Sequence, residues 1–431
     1  MKRVLIITYY WPPAGGSGVQ RWVKFSKFLP SFDWQPVIYT PSNPQYTSID
    51  RTLEAEIPFE AEIIRHPIRE PYGIYRSLMG RGSSTDMKVL TSSESVEGKS
   101  RFKDKAALWL RSNLFIPDPR VWWVKPSVRF LRKYLEEHPV DVIVTTGPPQ
   151  SMHMIGLGLH RATGIPWISD FRDPWTKMYW FKKMELTPRS EKKHHALEQQ
   201  VLDESDAVLS VTPFVQEDFS SRTRTPVHMI TNGYDEEDFR QDVEPDGHFN
   251  LVHTGLFPAD GNPHALWKVL GEKASADPSF RKELRIRLVG QTDKNIYASI
   301  EEAGLKDNMI DLGYKTHQTA VREQLAASVL LLPLRNDPEY RMILPGKVFE
   351  YLASRRPVLG IGQEDGAMAL AIREVHGGET FSFGNEDGIR AFIDDAWNRH
   401  LSGTLGRCTG DIEKYSRREL TRQLADLLGS L

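Results

Sequence analysis

The sequence predicts an α/β protein of two domains, each built on a parallel β-sheet. Three observations predict it. Its 431 residues, 40% hydrophobic and 26% charged, suit a globular chain long enough for two domains. Short apolar runs recur, each ending in a loop rich in glycine, proline or polar residues before a helical segment, as parallel sheets require. The stretch Leu330–Gly362, LLLPLRNDPEYRMILPGKVFEYLASRRPVLGIG, contains a complete βαβ unit.

Taken in order, Val4–Tyr9 reads as the first strand. The N-terminal run MKRVLIITYYWPP is too short for a signal peptide. The loop Pro12-Pro13-Ala14-Gly15-Gly16-Ser17-Gly18 leads into a helix from about Val19 to Leu29. A strand, a glycine-rich turn and a helix form a mononucleotide-binding geometry, because missing side chains let backbone N–H groups approach an anion. Gly15, Gly16 and Ser17 are candidate ligand contacts; a tight turn with no ligand is the alternative. The spacing is not G-x-G-x-x-G, and no acidic residue closes the second strand at Pro36–Thr40, so a nicotinamide-dependent oxidoreductase is disfavoured.

Ile63–His66 reads as another strand, and Gly80–Gly98 as a mobile loop. Lys99–Lys133 holds ten basic residues against Asp104 and Asp118, interleaved with Phe102, Trp109, Leu110, Leu114, Phe115, Trp122 and Trp123. That is the composition of an interfacial membrane contact, or else of aromatics packed in a core beneath solvated charges. Residues 69–133 are therefore expected to form a mobile, basic-aromatic insertion.

DVIVT at Asp141–Thr145 is a strand, and a helix follows to about Thr163. His153 falls in that helix's first turn, within reach of an acceptor hydroxyl or phosphate, or simply on the helix surface. Pro166–Ser169 runs into Asp170-Phe171-Arg172-Asp173-Pro174-Trp175. Two carboxylates and a guanidinium are costly to bury without partners, so Asp170, Arg172 and Asp173 are candidate catalytic residues. A turn capped by Asp173 is the alternative. A charged helix (Met184–Ser205) and strands at Ala207–Val211 and Val227–Ile230 lead to Asn232-Gly233-Tyr234-Asp235.

The second domain opens with the strand Phe249–His253 and the turn Thr254-Gly255, then a helix from about His264 to Ala276. Leu284–Val289 and Met309–Leu312 are further strands, and Val321–Ser328 is a helix. In the Leu330–Gly362 unit, Pro345-Gly346-Lys347 and Glu350 fall at the carboxyl edge of the sheet, where ligands bind in such folds. A lysine there suits a phosphate, and a carboxylate one turn on can accept hydrogen bonds from ribose; a capped helix with a solvated lysine and glutamate is the alternative. Leu420, Leu424, Leu427 and Leu428 give the last segment one apolar helical face.

PGKVFEYLASRRPVLGIG resembles the donor-site segment of GT-B glycosyltransferases, the GT4-like group of nucleotide-sugar enzymes. The resemblance extends to Val4–Arg21, Asp141–Trp175, Met229–Leu256 and Ile310–Gly362. It implies two Rossmann-like domains facing an interdomain cleft: an acceptor domain at 1–235, a nucleotide-sugar domain at 236–408, and a last helix at 409–431 crossing back to the first domain. It also implies a hexosyltransferase-type activity (EC 2.4) and a glycan or lipid-linked acceptor, with a surface polysaccharide as product. Glu350 would hold the donor ribose, Gly255, Gly346 and Lys347 would face the diphosphate, Gly16 would also touch the donor, and Gly15, Ser17 and His153 would meet the acceptor. Asp173 matches the aspartate of the family's His-Asp pair, and Arg172 stands in place of the histidine. Met342 stands where many relatives carry a second glutamate. The family works without an obligate metal, and no DxD motif occurs here, so no cofactor is expected.

A single cysteine, Cys408, and no apolar run of spanning length place the chain in the cytoplasm, peripheral to the inner membrane face if the basic-aromatic segment binds lipid. A net charge of −2 argues against nucleic acid as a partner. A GT-B sugar-nucleotide epimerase and an inactive glycan- or partner-binding scaffold are the competing readings.

Overall fold

The structure is a computed structural model. It describes the chain apart from Thr47, residues 71–108, Leu110, Lys183 and Arg407, and apart from the side chains of Ser17, Tyr179 and Trp180. The expected mobile loop at 80–98 and the basic residues at 99–105 lie outside the described residues. The chain divides into two units: Met1–Thr231 with Arg418–Leu431, and Asn232–Arg417. The divisions fall before Asn232 and after Arg417, not at 235/236 and 408/409. Tyr234 explains this: its N–H donates to Tyr415 O (3.1 Å) and its carbonyl accepts from Arg417 N (2.8 Å), so the outgoing and returning strands of chain pair within the second unit.

The first unit's sheet has seven strands in the order β3-β2-β1-β4-β5-β6-β7. They are β1 (Lys2–Ile7), β2 (Trp34–Pro41), β3 (Glu62–His66), β4 (Val142–Gly147), β5 (Trp167–Phe171), β6 (Ala207–Ser210) and β7 (Val227–Met229), all parallel. Helices on both faces bury the central strands, which is why VLII of β1 and VIVTT of β4 are continuous apolar or small runs, not alternating ones. α1 (Ser17–Phe28) follows β1, α2 (Val121–Glu137) precedes β4, α3 (Ser151–Thr163) follows β4, and α4 (Pro188–Glu204) and α5 (Pro213–Arg222) flank β6.

The expected insertion is shorter than 69–133. Residues 121–133 are a framework helix: Trp123 of α2 is buried and stacked on Tyr39 at 4.9 Å, and Tyr39 Oη donates to Ser127 Oγ.

The second unit's sheet has six parallel strands, β10-β9-β8-β11-β12-β13. They are β8 (Phe249–Thr254), β9 (Leu284–Val289), β10 (Met309–Gly313), β11 (Val329–Pro333), β12 (Val358–Ile361) and β13 (Gly378–Phe381). α6 (His264–Ala276), α7 (Lys294–Glu302), α8 (His317–Leu325), α9 (Lys347–Ala353), α10 (Ala367–Glu374) and α11 (Glu386–Leu401) cover its faces. The final helix, α12 (Arg417–Ser430), places Leu420, Leu424, Leu427 and Leu428 in the first unit's core beside Val4, Ile6 and Val23. Among the described residues no helix is long and apolar enough to cross a membrane.

Both sheets reverse strand order once, between β1 and β4 and between β8 and β11. At such a switch point the flanking helices depart to opposite faces and open a crevice at the strands' carboxyl ends. The loops that follow these four strands carry most of the candidate residues.

Candidate active site

In the second unit the loops after β8 and β11 meet at Gly255 and Lys347. Gly255 has φ +93°, and a Cβ there would fall 2.5 Å from both Cε and Nζ of Lys347. Only glycine lets the lysine lie across this backbone. Gly290, after β9, comes equally close from the other side: a Cβ on it would fall 2.3 Å from Gly255 O. Lys347 Nζ reaches Leu256 O at 3.4 Å. Burial lowers its pKa to about 8, against the pull of the nearby Glu350 carboxylate. An ammonium held this way gains when an anion arrives beside it.

Two further cations after β11, Arg335 and Arg341, have acidic partners: Asp260 at 2.6 Å and Asp365 at 3.0 Å. Gly346, just before α9, is exposed, and the space a Cβ would take there is open. Glu350, one turn into α9, is partly exposed, and its Oε2 accepts from Gln324 Nε2 at 3.2 Å. Gly255, Gly346, Lys347 and Glu350 thus share one sheet edge. Sequence reasoning missed Gln324, Thr254 and Tyr351 beside them. Gln324 could have been found as the polar residue sharing a helical face with Val321 and Leu325, all three buried.

The first unit corrects several expectations. Asp170 is fully buried, and its carboxylate is occupied by the protein itself. Arg21 Nε lies 3.2 Å from both oxygens and Nη2 lies 2.9 Å from Oδ1, while Trp22 Nε1 (2.7 Å) and Thr146 Oγ1 (2.8 Å) donate to Oδ2. It is a structural ion pair, not a group that meets substrate.

Arg172 is a clasp. Its guanidinium donates to the carbonyls of Gly18 (2.8 Å), Gly147 (3.3 Å) and Pro148, tying the loop after β1 to the loop after β4. His153 is fully buried, not on the helix surface. It stacks on Phe171 at 4.5 Å, with Nδ1 2.9 Å from Thr145 Oγ1. Burial depresses its pKa to about 3, so it is neutral, and it cannot touch an acceptor from this position. Gly15 is likewise occupied: its amide donates to Ser48 O at 2.9 Å, and a Cβ would crowd Ser48 Oγ at 2.8 Å. Ser17 begins α1, and its side chain lies outside the described residues.

Two candidates stay available. Gly16 is exposed at φ +93° with open space where a Cβ would be. Asp173, just past β5, is partly exposed, and its carboxylate has no hydrogen-bond partner among the described residues. Burial raises its pKa although Arg172 opposes this. A partly desolvated carboxylate without a donor suits a hydroxyl arriving with a proton to share.

Two parallel-sheet units, each with a switch-point crevice, are the architecture of the GT-B fold, and the second unit carries a lysine–glutamate pair at its sheet edge. The comparisons agree. Residues 85–238 match the sequence model of Glycosyltransferase Family 4. Among solved structures, the chain is similar to sucrose-phosphate synthase from Thermosynechococcus elongatus, with 13% identity, TM-score 0.61, and coverage of 100% of this chain and 99% of that one. It is also similar to trehalose-6-phosphate synthase from Burkholderia multivorans, with 12% identity, TM-score 0.57, and coverage of 100% and 96%. A third is WaaG, a glycosyltransferase involved in lipopolysaccharide biosynthesis, with 14% identity, TM-score 0.53, and coverage of 99% of each chain. At these identities the likeness is one of fold. No curated protein matches the sequence.

Proposed function

We propose that the chain moves a hexose-type sugar from a nucleotide-diphosphate donor, held by the second unit, to a glycan or lipid-linked acceptor received by the first. The observation that carries this is the Lys347–Gly255 contact beside Glu350, a cation on bare backbone one helical turn from a carboxylate. Such a pair fits a nucleoside diphosphate: Lys347 meets the phosphates and Glu350 accepts from the ribose. In transfer, the bond from the anomeric carbon to the phosphate oxygen breaks and a bond to the acceptor oxygen forms. Lys347 stabilises the charge that develops on the leaving diphosphate. Asp173 accepts the hydrogen bond of the acceptor hydroxyl as its proton leaves. No metal is required where Lys347 supplies this charge, so activity is expected to survive EDTA.

The test is a thermal-shift titration with UDP-, GDP-, TDP- and CMP-sugars on the wild type and on Glu350→Ala. A stabilisation by one nucleotide class that disappears in the variant supports the donor site. Absence of any shift in the folded wild type favours the binding scaffold.

A second part of the proposal concerns location at the cytoplasmic membrane face and a surface-glycan product. It is supported by the exposed side of α2, where Trp122 and Phe130 are exposed among Lys125, Arg129, Arg132 and Lys133. Aromatics and cations on one surface suit an anionic bilayer.

A further inference from the structure

Gln324 takes no part in the chemistry above, yet its surroundings are specific. Its side chain is fully buried in α8. The amide nitrogen donates twice, to Thr254 Oγ1 at 3.1 Å and to Glu350 Oε2 at 3.2 Å. The amide oxygen is buried with no partner. Thr254 is fixed in turn by Tyr351: its backbone N–H donates to Tyr351 Oη at 2.8 Å, and the two hydroxyls lie 3.3 Å apart. The end of β8, the helix α8 and the helix α9 therefore meet at the Gln324 amide nitrogen, which touches one oxygen of Glu350.

Packing does not account for this residue. A leucine would fill nearly the same volume between Val321 and Leu325 and would leave no buried acceptor unpaired, a condition that normally destabilises. What glutamine supplies and leucine does not is a pair of N–H donors in fixed directions. The orientation of its amide follows from the same contacts, because the reverse would set an oxygen against a carboxylate.

We infer that Gln324 is a positioning residue for the donor: by holding Oε2 of Glu350 it leaves Oε1 as the oxygen that takes the ribose hydroxyls, and so makes the site select ribonucleotides over their deoxy counterparts. This rests on the donor site proposed above. Glu350 without Gln324 still carries a charge near the ribose, but its carboxylate turns freely, and a hydrogen bond to a mobile acceptor discriminates less.

The experiment is calorimetric titration of the full chain with UDP, GDP and ADP, each paired with its 2′,3′-dideoxy form, on wild type, Gln324→Met, Gln324→Ser and Glu350→Ala. The wild type is expected to prefer the ribo form of its nucleotide by roughly tenfold or more, the scale of one hydrogen bond to a charged group. Gln324→Met is expected to bring the preference close to one while the dideoxy form binds as before. Because the preference is a ratio within one protein, a variant that is only loosened weakens both forms in parallel, and that result overturns the inference. So does an unchanged ratio. Gln324→Ser serves the same comparison should the methionine variant not fold. If wild type and Glu350→Ala show the same ratio, Glu350 does not read the ribose, and the donor-site proposal fails together with this one.

Discussion

Lys347 lies over Gly255 so closely that a single added methyl would strike its ammonium group: the Cβ position is 2.5 Å from both Cε and Nζ. Gly255→Ala is therefore expected to act on a distant residue. It must push Lys347 off the backbone, and it also places a Cβ at φ +93°, a conformation that costs about 1–2 kcal/mol outside glycine. Donor KM is expected to rise about tenfold to hundredfold, the worth of one charge-assisted contact. Lys347→Met should match it, and the double variant should be no worse than either single one. Additive losses would mean the two residues do not act together.

Donor binding should depend on pH through the same lysine. Burial lowers the Lys347 pKa to about 8, below its ordinary value, so the free enzyme loses this charge as pH rises through that point. The sign follows directly: the contribution of Lys347 to kcat/KM, which reports groups of the free enzyme, is present below about pH 8 and lost above it. The alkaline limb should vanish in Lys347→Met. A limb that persists in that variant belongs to another group.

Asp170 and Arg21 make a prediction about stability, not catalysis. Both side chains are buried, and the carboxylate accepts from Arg21, Trp22 and Thr146. Removing one partner leaves an uncompensated buried charge, which costs about 3–5 kcal/mol, a large part of a domain's stability. Asp170→Ala and Arg21→Met should each lower the unfolding free energy of the first unit by that amount, read as a lower denaturant midpoint at unchanged slope. An Asp170→Ala protein that melts like the wild type but is inactive would return Asp170 to the catalytic set.

The contrast between Asp170 and Asp173 also shows what the sequence could disclose. The strand–loop–helix rhythm was legible because parallel strands buried on both faces must be apolar runs, and LLLP, VIVT and VLII are such runs. That Gly255, Lys347 and Glu350 share one sheet edge was legible because they follow strands that the rhythm itself locates. The first unit was not legible in the same way. Nothing in DFRDPW says that Asp170 points inward to an arginine far away in α1 while Asp173, three residues on, stays partly exposed. His153 and Gly15 were misread for the same reason: their partners, Thr145 and Ser48, come from other segments. Helix α2 was hidden within a basic-aromatic composition until Trp123 was found stacked on Tyr39.

Asp173 is expected to be the carboxylate whose loss stops transfer. Asp173→Asn keeps the shape and removes the charge, so kcat should fall by about 10²–10⁴ while donor affinity by calorimetry stays unchanged. Burial raises the Asp173 pKa, so the carboxylate is present above that raised value and lost as pH falls through it. The acid limb of activity should therefore lie above the usual aspartate range and be absent from the residual activity of the asparagine variant. Equal losses of donor affinity and rate would place Asp173 in the donor site instead.

The exposed side of α2 offers the last test. Trp122, Lys125 and Arg129 recur at three- and four-residue spacing, so they share a face, and Phe130 and Lys133 extend it. The buried Trp123 anchors the helix from behind, so substitutions on the outer face should leave the fold intact. Each cation near an anionic bilayer contributes about 1 kcal/mol, screened by salt, and an inserted tryptophan adds a term that salt does not remove. The protein is therefore expected to sediment with phosphatidylserine vesicles and not with pure phosphatidylcholine ones. Lys125→Glu with Arg129→Glu should abolish this, and Trp122→Ser should leave only the binding that high salt eliminates. Equal partition into both vesicle types, or none into either, would mean that these side chains are simply solvated and that the acceptor is met without the bilayer.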